Sequence, residues 1–125
     1  MGMTIIQKTL LLSELHRLGA TVLHHGDCQG GDSEAHDIAR QLGLYIVGHP
    51  PLSEGLRAFR ECDELRQPQE YMVRNRNIVL ETQTLIGTPA GAERLRSGTW
   101  ATLRFTKKVK RPWIAISPDG ELRSA

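Results

Sequence analysis

The stretch Ala20-Thr21-Val22-Leu23-His24-His25-Gly26-Asp27-Cys28-Gln29-Gly30-Gly31-Asp32 decides the fold class. Its first half is a short apolar and β-branched run of the kind that forms a strand. Its second half breaks into glycines and then opens a different periodicity. Ala35, Ile38, Ala39 and Leu42 share one face at helical spacing, and Gly43 closes the pattern. Strand, glycine turn and helix in direct succession are the first half of a β-α-β unit.

Working outward, Thr4 can cap a preceding helix whose apolar side includes Ile5, Leu11, Leu12, Leu15 and Leu18 and which ends at Gly19. Downstream, Leu44-Tyr45-Ile46-Val47 reads as a second strand, stopped by Gly48-His49-Pro50-Pro51. Residues 51 to 69 lack periodic apolar positions and read as a long loop with one helical turn, the kind of segment that covers a site. The spacing predicts a helix over Tyr71 to Glu81 with Met72, Ile78 and Val79 inward. Thr84-Leu85-Ile86-Gly87 is a third strand, and a Pro/Gly loop from Thr88 to Gly98 leads to a helix over Thr99 to Val109. Pro112-Trp113-Ile114-Ala115-Ile116 is the last strand, and Pro118-Asp119-Gly120 a turn. The alternation predicts a single α/β domain over residues 1–125. Right-handed crossovers would give it a mostly parallel sheet of about four strands, with helices on both faces.

Composition narrows the function classes. The chain has 125 residues, a formal net charge of +2, and 39% apolar and 24% charged residues. That length buries one sizeable core without help from disulfides or metals. The charge is too small to argue for nucleic acid, and Lys107, Lys108, Lys110 and Arg111 read as a solvated helix end. Few aromatic residues leave little for a stacking platform on single strands. No apolar run approaches the roughly 18 residues of a membrane span. Two cysteines and no signal peptide lead us to expect a cytoplasmic protein.

In a parallel sheet, ligands collect beyond the carboxyl ends of the strands. Two glycine-containing loops fall there. Gly26, Asp27, Gly30 and Asp32 occupy the first, at a helix start whose free N–H groups attract anions. Arg96, Ser97, Gly98 and Thr99 occupy the second, where hydroxyls can cap the helix or donate to a phosphate. In Arg74-Asn75-Arg76-Asn77, Arg74 is the arginine expected to reach the cleft, with Arg76 pointing elsewhere. His24, His25, Cys28, His36 and His49 are metal-ligand types, yet their spacing matches no zinc pattern. His24 and His25 adjoin on a strand and point to opposite faces. No cofactor is expected, and a metal site from His24 or His25 with Cys28 and His36 is an alternative. Cys28 sits near a helix start, which favours thiolate, but no oriented base accompanies it and nucleophilic catalysis is not expected.

His25-Gly26-Asp27-Cys28-Gln29-Gly30-Gly31-Asp32, Ala35 and Ala39, and His49-Pro50 resemble, in order, the small YspA-type branch of the SLOG superfamily. Arg74 to Val79 and Arg96-Ser97-Gly98-Thr99-Trp100-Ala101-Thr102 extend the resemblance over roughly residues 2 to 120. It implies a Rossmann-like three-layer sandwich, with a nucleotide or nucleotide-derived phosphate ligand held by Gly26, Asp27, Gly30, Asp32, Arg74, Ser97, Gly98 and Thr99. Two departures stand out. The related Lonely-Guy-type phosphoribohydrolases carry Gly-Thr-x-x-Glu, but here the glutamate position is Thr102. A threonine does not stabilise an oxocarbenium charge as a carboxylate does, so N-glycoside hydrolysis would need Asp27 or Asp32 as the catalytic acid. Relatives also carry a strand and turn ahead of the position of Met1-Gly2-Met3-Thr4. Either a start placed too far downstream or a shortened sheet lacking its central strand is expected, with exposed edges that favour pairing between chains.

Overall fold

A computed structural model describes residues 2–125. Helix α1 spans Ile5–Arg17 and starts at a capping box. Thr4 Oγ1 accepts from Gln7 N at 3.1 Å while Gln7 Oε1 accepts from Thr4 N at 3.0 Å, so two orphan donors satisfy each other's residues. The helix buries Gln7, Leu11, Glu14 and Leu15. Ile5, Leu12 and Leu18, expected on the inward side, are exposed, as is Met72, expected inward on the helix over 71–81. The apolar periodicity locates the stripe only loosely, because Gln7 takes an inward place by donating to the carbonyls of Pro89 and Ile116, each at 2.8 Å. Gly19, at φ +63°, ends the turn in the left-handed region that favours glycine.

The chain then alternates through β1 (Val22–His25), α2 (Gly31–Gln41), β2 (Tyr45–Gly48), β3 (Glu64–Leu65), α3 (Tyr71–Glu81), β4 (Leu85–Gly87), α4 (Gly98–Lys108), β5 (Trp113–Ile116) and β6 (Leu122–Ser124). The α/β alternation and all four predicted helices are present. The single sheet of about four strands is not. Two three-stranded sheets form instead, ordered β1-β2-β3 and β4-β5-β6. The first is parallel throughout; in the second, β4 and β5 are parallel and β6 returns antiparallel.

Two of these strands lie outside the sequence reading. β3 is a two-residue pairing within the segment read as loop, where a single hydrogen-bonded turn, Arg57 N donating to the Glu54 carbonyl at 3.1 Å, forms but no helix does. β6 follows the turn at Gly120, and all three of its residues are exposed. Neither strand carries a buried alternation for a periodicity argument to find.

The sheets are joined through helices. One core cluster combines Met3, Leu11 and Leu15 from the α1 region with Ile38, Ala39, Leu44 and Ile46 from the β1–β2 half and Ile114 and Ile116 from β5. A second packs Trp100 and Leu103 of α4 on Ala115. β1 and β4 each pair on one side only, and between their open edges lies a cavity of about 1210 Å³. Residues 22–26 line it on one side and residues 83–88 on the other. Leu11, Leu15 and Leu18 of α1 line it, as do Arg74, Ile78 and Glu81 of α3.

Candidate functional site

The carboxyl ends of β1 and β4 open onto this cavity. From the turn after β1 come Gly26, Gly30 and Asp32, and from the start of α4 come Gly98 and Thr99. Arg74 enters from α3. The fold therefore brings six of the predicted site residues, far apart in the chain, to one lining.

The two helix starts differ. Gly30 at the N-cap of α2, with φ 89°, contributes no side-chain cap, and the first turn carries Asp32 and Glu34. Asp32 Oδ2 accepts from Cys28 N at 3.1 Å, which closes the turn. The first turn of α4 holds no acidic residue. Ser97 caps it by accepting from Trp100 N at 3.3 Å, so this hydroxyl serves the helix. The partial positive charge at the start of α4 is thus uncompensated by any nearby carboxylate of its own helix. Tyr71, which the sequence reading did not single out, packs here: a Cβ on Gly98 would lie 2.9 Å from its hydroxyl oxygen.

Arg74 is buried, as expected for the arginine that reaches the cleft. Its Nη1 donates to the carbonyl oxygens of Gly26 and His49, at 2.5 and 3.1 Å, and its Nε donates to Asn75 Oδ1 at 2.8 Å. The guanidinium lies over the Tyr71 ring, 4.6 Å from its centroid. Arg76 instead lies over Phe105. Arg74 therefore fastens the turn after β1 to the turn after β2 and leaves few donors for a ligand.

Asp27, Arg96 and Ser97 are not brought to the cavity lining. Arg96 is exposed. Asp27 is fully buried, with Oδ2 accepting from Arg57 Nε and Oδ1 from Arg60 N, each at 2.9 Å. Its backbone sits at φ 52°, a left-handed conformation that aspartate tolerates better than most residues. Its carbonyl also accepts from Ala58 N at 2.8 Å. Asp27 thus anchors the 51–69 segment beneath the glycine turn. Arg57 and Arg60, which do this anchoring, carry no local motif that would mark them.

The histidines fall on opposite faces of β1, as the strand period requires. His24 Nδ1 lies 2.8 Å from His49 Nε2 on one face, and His25 Nε2 lies 3.0 Å from His36 Nδ1 on the other. Cys28 is not with His25 and His36; its sulfur lies 3.7 Å from Arg74 Nη1. Cys62 stands near that pair, 3.7 Å from His25 Nε2. Burial pushes all four histidines below their ordinary range, His49 to about 4, and pushes the Cys62 thiol up to about 11.

Comparison with family models, with curated proteins and with solved structures finds no match.

Proposed function

We propose that the chain binds a nucleotide or nucleotide-derived phosphate ligand in the cavity between β1 and β4, as a sensing or sequestering module of Rossmann-like, SLOG-type architecture. The observation that carries this reading is the convergence of two helix starts, α2 and α4, on one cavity at the carboxyl ends of β1 and β4. The two starts suit different parts of such a ligand. A phosphate belongs at α4, where Gly98 allows close backbone approach, Thr99 offers a hydroxyl and no first-turn carboxylate repels it. Ribose hydroxyls belong at Asp32, whose carboxylate accepts from O–H donors and would repel a phosphate.

The test is a thermal-shift titration with nucleoside monophosphates, nucleotide sugars and ADP-ribose. A ligand that binds the native state raises Tm by linkage. Thr99→Ala, which removes a hydroxyl without disturbing the helix, should weaken the response, and Gly98→Val should abolish it by pushing on Tyr71. Absence of any shift across the panel overturns the reading.

Hydrolysis of an N-glycoside is the second reading, favoured only by the carboxylate of Asp32 at the cavity wall. Release of free base, lost in Asp32→Asn with binding intact, would separate it from binding alone.

A further inference from the structure

Two histidine pairs stand back to back on β1, and their surroundings give them different chemistry. In the His25–His36 pair the tautomer is pinned. Asp27 N–H donates to His25 Nδ1 at 2.9 Å, so that nitrogen presents its lone pair to the backbone. In the neutral ring, the proton then resides on Nε2 and is donated to His36 Nδ1. Neither nitrogen of His25 has a lone pair left for a metal. This cluster, which has two nitrogens and a sulfur within reach of one another, is a closed hydrogen-bond chain.

The His24–His49 pair has no such pin. Among the described residues, the hydrogen bond between the two rings is the one that fixes either side chain. The carboxylate of Glu81, at the end of α3, presents an oxygen within 4.8 Å of a ring nitrogen of each histidine. Arg66 orients this carboxylate: its Nε donates to Glu81 Oε1 at 2.9 Å. Metal-ligating carboxylates are usually held in place by a hydrogen-bonding partner of this kind. Glu64 stands 3.7 Å from Arg66 and offsets its charge.

We propose that His24 Nδ1, His49 Nε2 and a Glu81 oxygen form a binding site for a divalent cation of the zinc class, distinct from the phosphate site and not dependent on it. Two imidazole nitrogens and one carboxylate are a donor set that suits Zn²⁺, Co²⁺ and Ni²⁺. When the ion enters, the donor ring tautomerises, its proton passing to that ring's far nitrogen, so that both rings ligate as neutral imidazoles. With bonds of roughly 2.0–2.1 Å, a tetrahedral ion needs the two nitrogens to part to about 3.3 Å. That is a small ring movement from the present 2.8 Å. His24 and Glu81 both line the cavity, so the fourth position faces its interior and is open to water or a ligand.

The proposal is tested on the full chain, purified without a histidine tag, by titration with Zn²⁺ alone and with Co²⁺ as a spectroscopic probe. One ion per chain is expected. Glu81→Gln should weaken binding by at least about tenfold, as should His24→Gln, while His36→Gln leaves it unchanged. The Co²⁺ spectrum of the unaltered protein gives a readout that needs no variant: it should lack a thiolate charge-transfer band. No stoichiometric binding overturns the proposal. So does a thiolate band, or loss of binding in His36→Gln with retention in His24→Gln, because either would put the ion on the other face of β1.

Discussion

Arg74 Nη1 donates to the carbonyl oxygen of Gly26 across 48 residues of sequence. The same nitrogen donates to the His49 carbonyl, so one guanidinium holds the ends of two adjacent strands in register. Gly26 is required for this contact, because a Cβ there would overlap Arg74 and crowd Asp32. Arg74→Ala leaves two buried carbonyls without donors and should cost roughly 2–4 kcal/mol in urea unfolding. Gly26→Ala should destabilise by the same route. A loss under 0.5 kcal/mol in both would show that the turns are held by other contacts.

Asp27 is the buried partner of Arg57, not a wall of the cavity. Asp27→Asn keeps the left-handed backbone accessible but offers one acceptor oxygen to two donors. The change should cost roughly 3–5 kcal/mol, the range for breaking one side of a buried pair. Limited proteolysis should then cut first within residues 51–69, the segment that Asp27 anchors. A variant with unaltered Tm and unaltered cleavage would contradict this role.

Stability should fall as the pH drops below neutrality. Burial lowers the pKa of His24, His25, His36 and His49 in the folded state, so the unfolded chain binds protons more readily. Their contribution is complete above about 6.5 and is lost as the pH falls toward 4. His49, lowered from 6.5 to about 4, accounts for about 3 kcal/mol of this. Urea midpoints at pH 7.5, 6 and 5 check the sign; a flat profile over that range would refute it.

The open edges of β1 and β4 are unpaired backbone facing one another across an apolar-floored gap. Gly2 lines the same cavity. An engineered apolar, β-branched extension fused ahead of Gly2 should enter the gap parallel to β1, with α1 completing a right-handed crossover. It should raise Tm by at least about 5 °C and protect the amides of residues 22–25 from exchange. An extension carrying lysines at alternate positions should do neither. Equal effects from both would mean that the gap does not accept a strand.

How much of this was legible in the sequence is clear from single elements. Thr4, Ser97 and the glycines at 19 and 43 marked helix ends because caps and left-handed turns are local chemistry. The helix over 71–81 was readable to the residue, and β1, β2, β4 and β5 to within one or two, because apolar runs bounded by Gly and Pro need no distant partner to be recognised. The two glycine-containing loops could be placed at strand ends for the same reason.

Tertiary structure alone decided the rest. Asp27 and Asp32 share one glycine loop, yet Asp27 is locked inward by Arg57 and Asp32 faces the cavity. Cys62 rather than Cys28 stands beside His25, because the 51–69 segment folds back over the turn. Whether one sheet or two would form depended on which edges β1 and β4 present to each other, and a residue's pairing partner is not written in its own neighbourhood. Local chemistry sets where an element begins and ends. Long-range packing sets which face of it is buried, which of two similar side chains is spent on structure, and which is left facing the cavity.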